Sequence, residues 1–296
     1  MPSRLRIGAK LPNSGTLALD RGVPELARAL DEAGFDSVWV SDHIVLPREM
    51  RSRYPFAEDG RATWPSDLPY LDSLIALALA AGVTKHVTLG IAVLVLPLRH
   101  PIVAAKQLAS IDVASGGRLR LGVGAGWLRE EFEALDVPFE SRGARLDEWI
   151  ELLRSCWTGT PGPHDGPRYR LPPDVLCLPA PAGPVPIFVG GHSEPALRRA
   201  GAIGDGWLGQ QSLGSLDTAE IEAARRTAAD AARAAGRDPE LLQVVLRIVE
   251  SAGRMADLAP RLAELAAAGV NEVIVDVDWE RDDPGAELEQ LTAGVA

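Results

Sequence analysis

Leu5-Arg6-Ile7-Gly8-Ala9-Lys10-Leu11-Pro12-Asn13-Ser14-Gly15 decides between the two architectures open to this chain. Leu5 to Leu11 reads as a strand, and a helical pattern follows the turn. A doubly wound dinucleotide-binding sheet carries its G-x-G-x-x-G fingerprint in that first turn, where the glycines let the backbone approach a pyrophosphate at the helix start. Pro12-Asn13-Ser14-Gly15 offers a single glycine and no such spacing. A (β/α)8 barrel makes no comparable demand on its first turn.

The remainder of the chain repeats the same unit. Short β-branched runs occur at Ser37 to Val40, Val87 to Leu94, Leu119 to Gly124, Pro186 to Val189, Gly206 to Gly209, Gln243 to Val249 and Glu272 to Val277, each followed by a loop and a helical pattern. This alternation marks a parallel sheet of βαβ units. With the first strand it makes eight units, the number that closes a barrel. The 296 residues suit one barrel of about 250 residues plus insertions. The fold expected is therefore α/β, a (β/α)8 TIM barrel with insertion loops, as one domain over 1–296.

Glycine stops are expected for three helices: Gly34 after Val23 to Ala33, Gly201 after Ala196 to Ala200, and Gly269 after Met255 to Ala268. Two segments break the alternation. Residues 44–69 follow the second strand and combine Pro47, Pro55, Pro65 and Pro69 with Tyr54, Phe56 and Trp64; residues 158–185 are proline-rich and precede the fifth strand. Active sites of such barrels form at the strand C-termini, so the first segment is a candidate lid and the second is expected to wrap the outside.

The formal net charge is -11 with scattered basic residues, which argues against nucleic acid and anionic membranes as partners. An anionic cofactor must then be held by local N–H groups and nearby cations. Cys156 and Cys177 are too few for a disulfide framework and lack metal-site spacing, so idle thiols are expected. No stretch approaches the roughly 18 uninterrupted apolar residues of a spanning helix, and a cytoplasmic location is expected.

Asp42-His43 stands just past the second strand, at the barrel mouth. An imidazole there can donate or take a proton near neutral pH, although position alone fits a loop-capping histidine equally well. Gly122-Val123-Gly124-Ala125-Gly126-Trp127 ends the fourth strand; its glycines either let a flat ring approach or thin the strand for its neighbours. Gly190-Gly191-His192-Ser193 leads into a helix start and suits a phosphate, with an ordinary βα turn capped by Ser193 as the alternative. Gly204-Asp205-Gly206-Trp207 reads as structural. Arg99 could meet an anionic group or simply be solvated, while His86 and His164 are expected at the surface. No H-x-H, H-E-x-x-H or G-x-S-x-G occurs, so no metal is expected and cofactor chemistry is favoured over a protein nucleophile.

Val38-Trp39-Val40-Ser41-Asp42-His43, the glycine strand with Trp127-Leu128-Arg129-Glu130-Glu131-Phe132, Gly190-Gly191 and Gly204-Asp205-Gly206-Trp207 together resemble the luciferase-like monooxygenase superfamily, over about Leu5 to Val277. Within it the chain is most similar to probable F420-dependent oxidoreductases. The resemblance implies a TIM barrel holding a deazaflavin (coenzyme F420) or, alternatively, FMN at the strand C-termini. It places Asp42 and His43 near the ring, with His43 as the proton-transfer residue, and Gly190, Gly191, His192 and Ser193 around the phosphate. Gly124, Gly126 and Trp127 would border the ring. It also implies a non-prolyl cis peptide at Ala92-Val93 behind the ring.

Sugar-phosphate dehydrogenases of the F420 group carry a glutamate directly after the third glycine, where this chain has Trp127. Trp127, Trp64 and Tyr54 instead suggest a small apolar or aromatic substrate. An F420-dependent hydride transfer is the first reading and an FMN-dependent monooxygenase the second. A non-catalytic flavin-binding protein and a cofactor-free Schiff-base lyase stand behind them. For the lyase only Lys10 lies on a candidate strand. A homodimer is expected, with the apolar helix Leu74 to Ala81 as a contact.

Overall fold

A computed structural model describes residues 4–57, 59–281 and 283–293, so the ends of the expected 1–296 domain lie outside the described residues. Eight parallel strands close into a barrel: β1 Arg6–Lys10, β2 Ser37–Val40, β3 Thr88–Val95, β4 Leu119–Gly124, β5 Ile187–Gly190, β6 Gly206–Ser212, β7 Gln243–Val249 and β8 Glu272–Val275. Ala9 pairs with Val38 on one side and Val275 on the other, which closes the ring. The expected barrel is therefore the observed one.

Inside the barrel, side chains stack in layers. The floor is polar. Glu272, with no exposed surface, accepts from Ser37 Oγ at 2.5 Å and Trp39 Nε1 at 2.9 Å, and pairs with Arg120 Nη1 at 2.5 Å and Arg6 Nε at 3.1 Å. Above it lies an apolar layer of Trp39, Phe188, Leu208, Val245 and Ile274. Trp39 fits because β3 carries Gly90 opposite it, where any Cβ would overlap the indole. Burying large aromatics against glycines fills the barrel without widening it.

A second, larger core packs the helices against the outer strand faces, through residues such as Leu26, Leu30, Leu77, Leu108, Ile150 and Leu153. Helix α1, Val23–Ala33, ends as expected at Gly34, which has φ +91. Helix α2, Ser73–Ala81, starts where the Asp72 carboxylate accepts from the amides of Leu74 and Ile75 at 2.9 and 3.1 Å. Ile75 and Leu79 on that helix remain exposed.

Two helix expectations need correction. Gly201 lies inside a helix, Glu194–Ala202, rather than ending one; a Cβ there would overlap the Ala228 carbonyl on the neighbouring helix Thr218–Ala234, so the glycine permits close helix packing. The helix expected over Met255 to Ala268 is broken into Met255–Leu258 and Leu262–Ala267 by a 3-10 turn at Ala259–Arg261. Pro260, which has no N–H to donate, sits in that turn.

Residues 158–185 form a small hairpin, His164–Asp165 with Arg170–Leu171. His164, expected at the surface, is mostly covered: its Nε2 stands 3.3 Å from Glu148, whose carboxylate also accepts from the Arg168 and Tyr169 amides. Cys156 is buried, and burial beside Cys177 pushes its thiol up to about 12. Replacing Gly201 with Ala is expected to cost about 2 kcal/mol through overpacking. Urea denaturation measures this, and unchanged stability would contradict the packing account.

Candidate active site at the barrel mouth

The C-terminal ends of the strands bring most of the singled-out residues together. β3 bulges between Ile91 and Leu94, and the Ala92–Val93 peptide within the bulge is cis. Val93 points between two other strands: a Cβ on Gly124 or on Gly190 would come within 2.6 Å of its methyls. Gly126, with φ +89, would meet Phe132 and Val95. Packing therefore supplies a reason for each of these glycines. Whether they also border a ring is a separate matter.

Asp42 needs a correction. Its side chain has no exposed surface and is spent on Ser73 Oγ at 2.7 Å, the Val95 amide at 3.0 Å and Arg99 at 2.6 Å, so it does not face the mouth. Arg99 is neither solvated nor free for a ligand, because it bridges Asp42 and Asp72 at 2.9 Å. These contacts pin β2 to the β3 bulge and to α2.

His43 does face the mouth. Its Nδ1 lies 3.1 Å from Glu131 Oε2, a carboxylate oxygen that can accept an Nδ1 hydrogen, and its Nε2 makes no hydrogen bond among the described residues. Glu131 is almost fully buried and also accepts from the Ile44 amide at 2.5 Å. Three rings surround the imidazole: Tyr70 at 5.6 Å, Trp64 at 6.1 Å and Trp127 at 6.2 Å between centroids. Burial pushes the Tyr70 hydroxyl up to about 12, so it remains a donor through neutral pH.

Residues 44–69 lie across the mouth. Tyr54 stacks edge-on against Trp127 at 5.2 Å and accepts from Gln210 Nε2 at 3.1 Å, while Phe56 meets His192 at 5.3 Å. The segment is fastened at one end by Glu130, which accepts from the amides of Arg51 and Ser52 and from Ser52 Oγ at 2.7 Å. Burial alone would raise the Glu130 carboxyl, but these hydrogen bonds bring it down to about 2. At the other end Asn13 joins three elements: its Nδ2 donates to the Ser41 and Leu71 carbonyls, and its Oδ1 accepts from the Ser41 amide.

On the far side, Gly191 has φ +116 and Ser193 caps the helix Glu194–Ala202 without a side-chain cap bond. Among the described residues the amides of His192, Ser193 and Glu194 donate to no partner. Burial lowers the His192 pKa, and its Nε2 accepts the Gln210 amide at 3.0 Å, leaving Nδ1 as a donor. Trp207 donates its Nε1 to the Gly191 carbonyl at 2.8 Å and so fixes the turn; Asp205 accepts from the Ile187 amide. Both keep the structural role expected of Gly204 to Trp207.

Sequence reasoning gave no role to three residues of the mouth, Tyr70, Glu131 and Arg247, and weighed Lys10 only as a Schiff-base lysine. Glu131 stood inside a quoted motif, and the absence of a glutamate after Gly126 was the available hint that another carboxylate serves His43. A cleft of about 270 Å³ lies elsewhere, between the helix Thr218–Ala234 and the start of β7, whereas one of about 230 Å³ opens beside the site, lined by His43 and Tyr70 with Leu46 and Leu68.

Residues 12–291 match the luciferase-like monooxygenase family. The chain belongs to that family. One relative of this luciferase-like chain is an uncharacterized protein of Mycobacterium tuberculosis, 39% identical over 183 residues, 62% of this chain and 63% of that protein. Another is an F420-dependent glucose-6-phosphate dehydrogenase of Nakamurella multipartita, 37% identical over 187 residues, 62% of this chain and 50% of that enzyme. The matches thus span less than two thirds of these relatives' lengths. Among solved structures, an F420-dependent secondary alcohol dehydrogenase bound to an F420-acetone adduct superposes with a TM-score of 0.76 at 16% identity, covering 98% of this chain and 99% of that one. That likeness speaks for the fold alone.

Replacing Glu130 with Gln is expected to loosen the segment and speed tryptic cleavage after Arg51 or Arg53 by about tenfold. Because the Glu130 pKa is depressed, its contribution is complete above the ordinary carboxyl range and is lost only as pH falls toward 2. The wild-type tryptophan fluorescence should therefore hold between pH 7 and 4.

Proposed function

We propose that this protein is an F420-dependent oxidoreductase that transfers a hydride between the deazaflavin and a small organic substrate at the barrel mouth. The observation that carries the reading is the pairing, across one mouth, of a carboxylate-oriented imidazole with a glycine turn whose amides are unpartnered. The F420-dependent relatives support the choice of cofactor.

The residues present fit such a group. Gly190, Gly191, His192 and Ser193 would hold its phosphate: three free amides and a hydroxyl converge at a helix start, which favours an anion where the net charge of the protein does not. Ala92, Val93, Gly124, Gly126 and Trp127 would border the ring. The bound deazaflavin would supply the hydride acceptor or donor.

His43 then handles the proton. Glu131 holds Nδ1 protonated and keeps the ring pointing outward, so Nε2 can take a proton from a substrate hydroxyl, or return one to a carbonyl oxygen. Glu131 acts through His43 and is a positioning residue. Asp42 serves as an anchor for this end of β2. Residues 44–69 act as a lid, with Tyr54, Trp64 and Trp127 excluding water and walling an apolar or aromatic substrate. FMN is the second reading, because the anion cradle serves the phosphate of either cofactor.

Titrating the apoprotein separately with F420 and FMN, with fluorescence as the readout, tests the assignment. Tighter binding of F420 is expected; preference for FMN would move the case to flavin monooxygenase chemistry, and binding of neither would sink both. His43→Ala should leave the Kd for the cofactor within a few-fold while turnover of any accepted substrate falls about 100-fold. An unchanged rate would remove His43 from the reaction.

A further inference from the structure

Three cationic or anionic side chains point into the barrel above its apolar layer and take no part in the chemistry described so far: Lys10, Arg247 and Asp276. Val275 pairs with Ala9, which brings Asp276 beside Lys10, and Asp276 Oδ1 stands 3.3 Å from Arg247 Nη2. Arg247 and Asp276 side chains keep 19% and 26% of their surface open, so the group is reached from the mouth rather than sealed in the core.

The donors here outnumber their acceptors. Lys10 Nζ donates to the Leu11 carbonyl at 3.0 Å and to Asn13 Oδ1 at 2.9 Å, both neutral, and has no ion-pair partner among the described residues. One of its three hydrogens remains. Arg247 Nε is buried and has no partner among the described residues. Tyr70, whose hydroxyl stays protonated, lies close enough to feel the Arg247 charge.

Burial and the nearby guanidinium push the Lys10 pKa well below its ordinary value, with Asp276 only partly offsetting them. An anion set beside Lys10 would offset both effects and hold its ammonium charged, so that Lys10 and Arg247 against Asp276 would meet it with one net positive charge. A single carboxylate brings that sum to zero, whereas a phosphate dianion would leave it negative.

We propose that Lys10 and Arg247 form a carboxylate-binding subsite at the base of the barrel mouth, so that the substrate is a small organic acid with an apolar or aromatic body. The subsite rests on the oxidoreductase reading above and names its substrate class. The carboxylate sits between Lys10 Nζ and the Arg247 guanidinium with Tyr70 as a third donor, and the rings of Trp64 and Trp127 take the body near His43. Lys10 thereby receives a binding role in place of a Schiff-base one.

The test compares benzoate, 4-hydroxybenzoate and phenylacetate with neutral benzamide on the full chain, by calorimetry and tryptophan fluorescence. At least one acid should bind about tenfold more tightly than benzamide, and Arg247→Gln and Lys10→Met should each erase that advantage while the Kd for F420 moves less than about threefold. Several results would overturn the subsite: acids no better than benzamide, no saturable binding of any acid, an advantage kept in both variants, inorganic phosphate binding more tightly than every acid, or cofactor affinity falling as far as acid affinity. The wild-type comparison needs no variant to fold. Acid binding without any F420 or FMN binding would sink the cofactor reading alone, and cofactor binding with indifference to acids would sink the subsite alone.

Discussion

One buried carboxylate sets the level at which everything else in this barrel stands. From β8, Glu272 gathers Arg6, Ser37, Trp39 and Arg120 from three other strands, β1, β2 and β4. Removing it would leave the nearly buried Arg120 guanidinium without its ion-pair partner, a loss of about 3 kcal/mol or more. By holding the Trp39 indole nitrogen it fixes the height of the aromatic layer, and Phe188 meets that indole edge-on at 6.4 Å. The layer plugs the barrel halfway up. Only the residues above it can reach a ligand.

Above the plug, loops are tied to strands by three carboxylates and one carboxamide. Asp42 with Arg99, Asn13, Glu130 and Glu131 each collect backbone amides or carbonyls from segments far apart in the chain. Charge-assisted bonds of this kind orient more sharply than apolar contacts do. Glu130 and Glu131 are adjacent on one short helix, Arg129–Ala134, yet one holds Ser52 and the other holds His43. The placement of Arg51 and Ser52 and the orientation of the imidazole therefore share a support.

The barrel was legible because its signal is repeated: each strand such as Ser37 to Val40 or Gln243 to Val249 carries its own β-branched run, and eight of them agree. The place of His43 at the C-terminal end of β2 was legible because it lies just past that strand's β-branched run. What escaped was whatever depends on partners distant in sequence. Asp42 looked like a ligand-facing residue from its place next to His43, but alternate residues at a strand end face opposite ways, and Asp42 turns to Ser73 and Arg99. The packing reason for the glycines was hidden in the same manner: Gly124 and Gly190 clear space for Val93, whose position depends on a bulge that periodicity does not encode. Gly201 read as a helix stop because its contact, the Ala228 carbonyl, belongs to the next helix. Lys10 and Arg247 lie on two strands and Asp276 just past a third, and only barrel closure brings them together.

The most direct measurement is a crystal structure of the protein loaded with F420. The account predicts the phosphate within hydrogen-bonding distance of the His192, Ser193 and Glu194 amides, the deazaflavin ring against the Ala92–Val93 bulge, and His43 Nε2 facing the open side of the ring with Glu131 still on Nδ1. A ring bound outside the mouth, or a phosphate held away from the Gly190 to Ser193 turn, would contradict it.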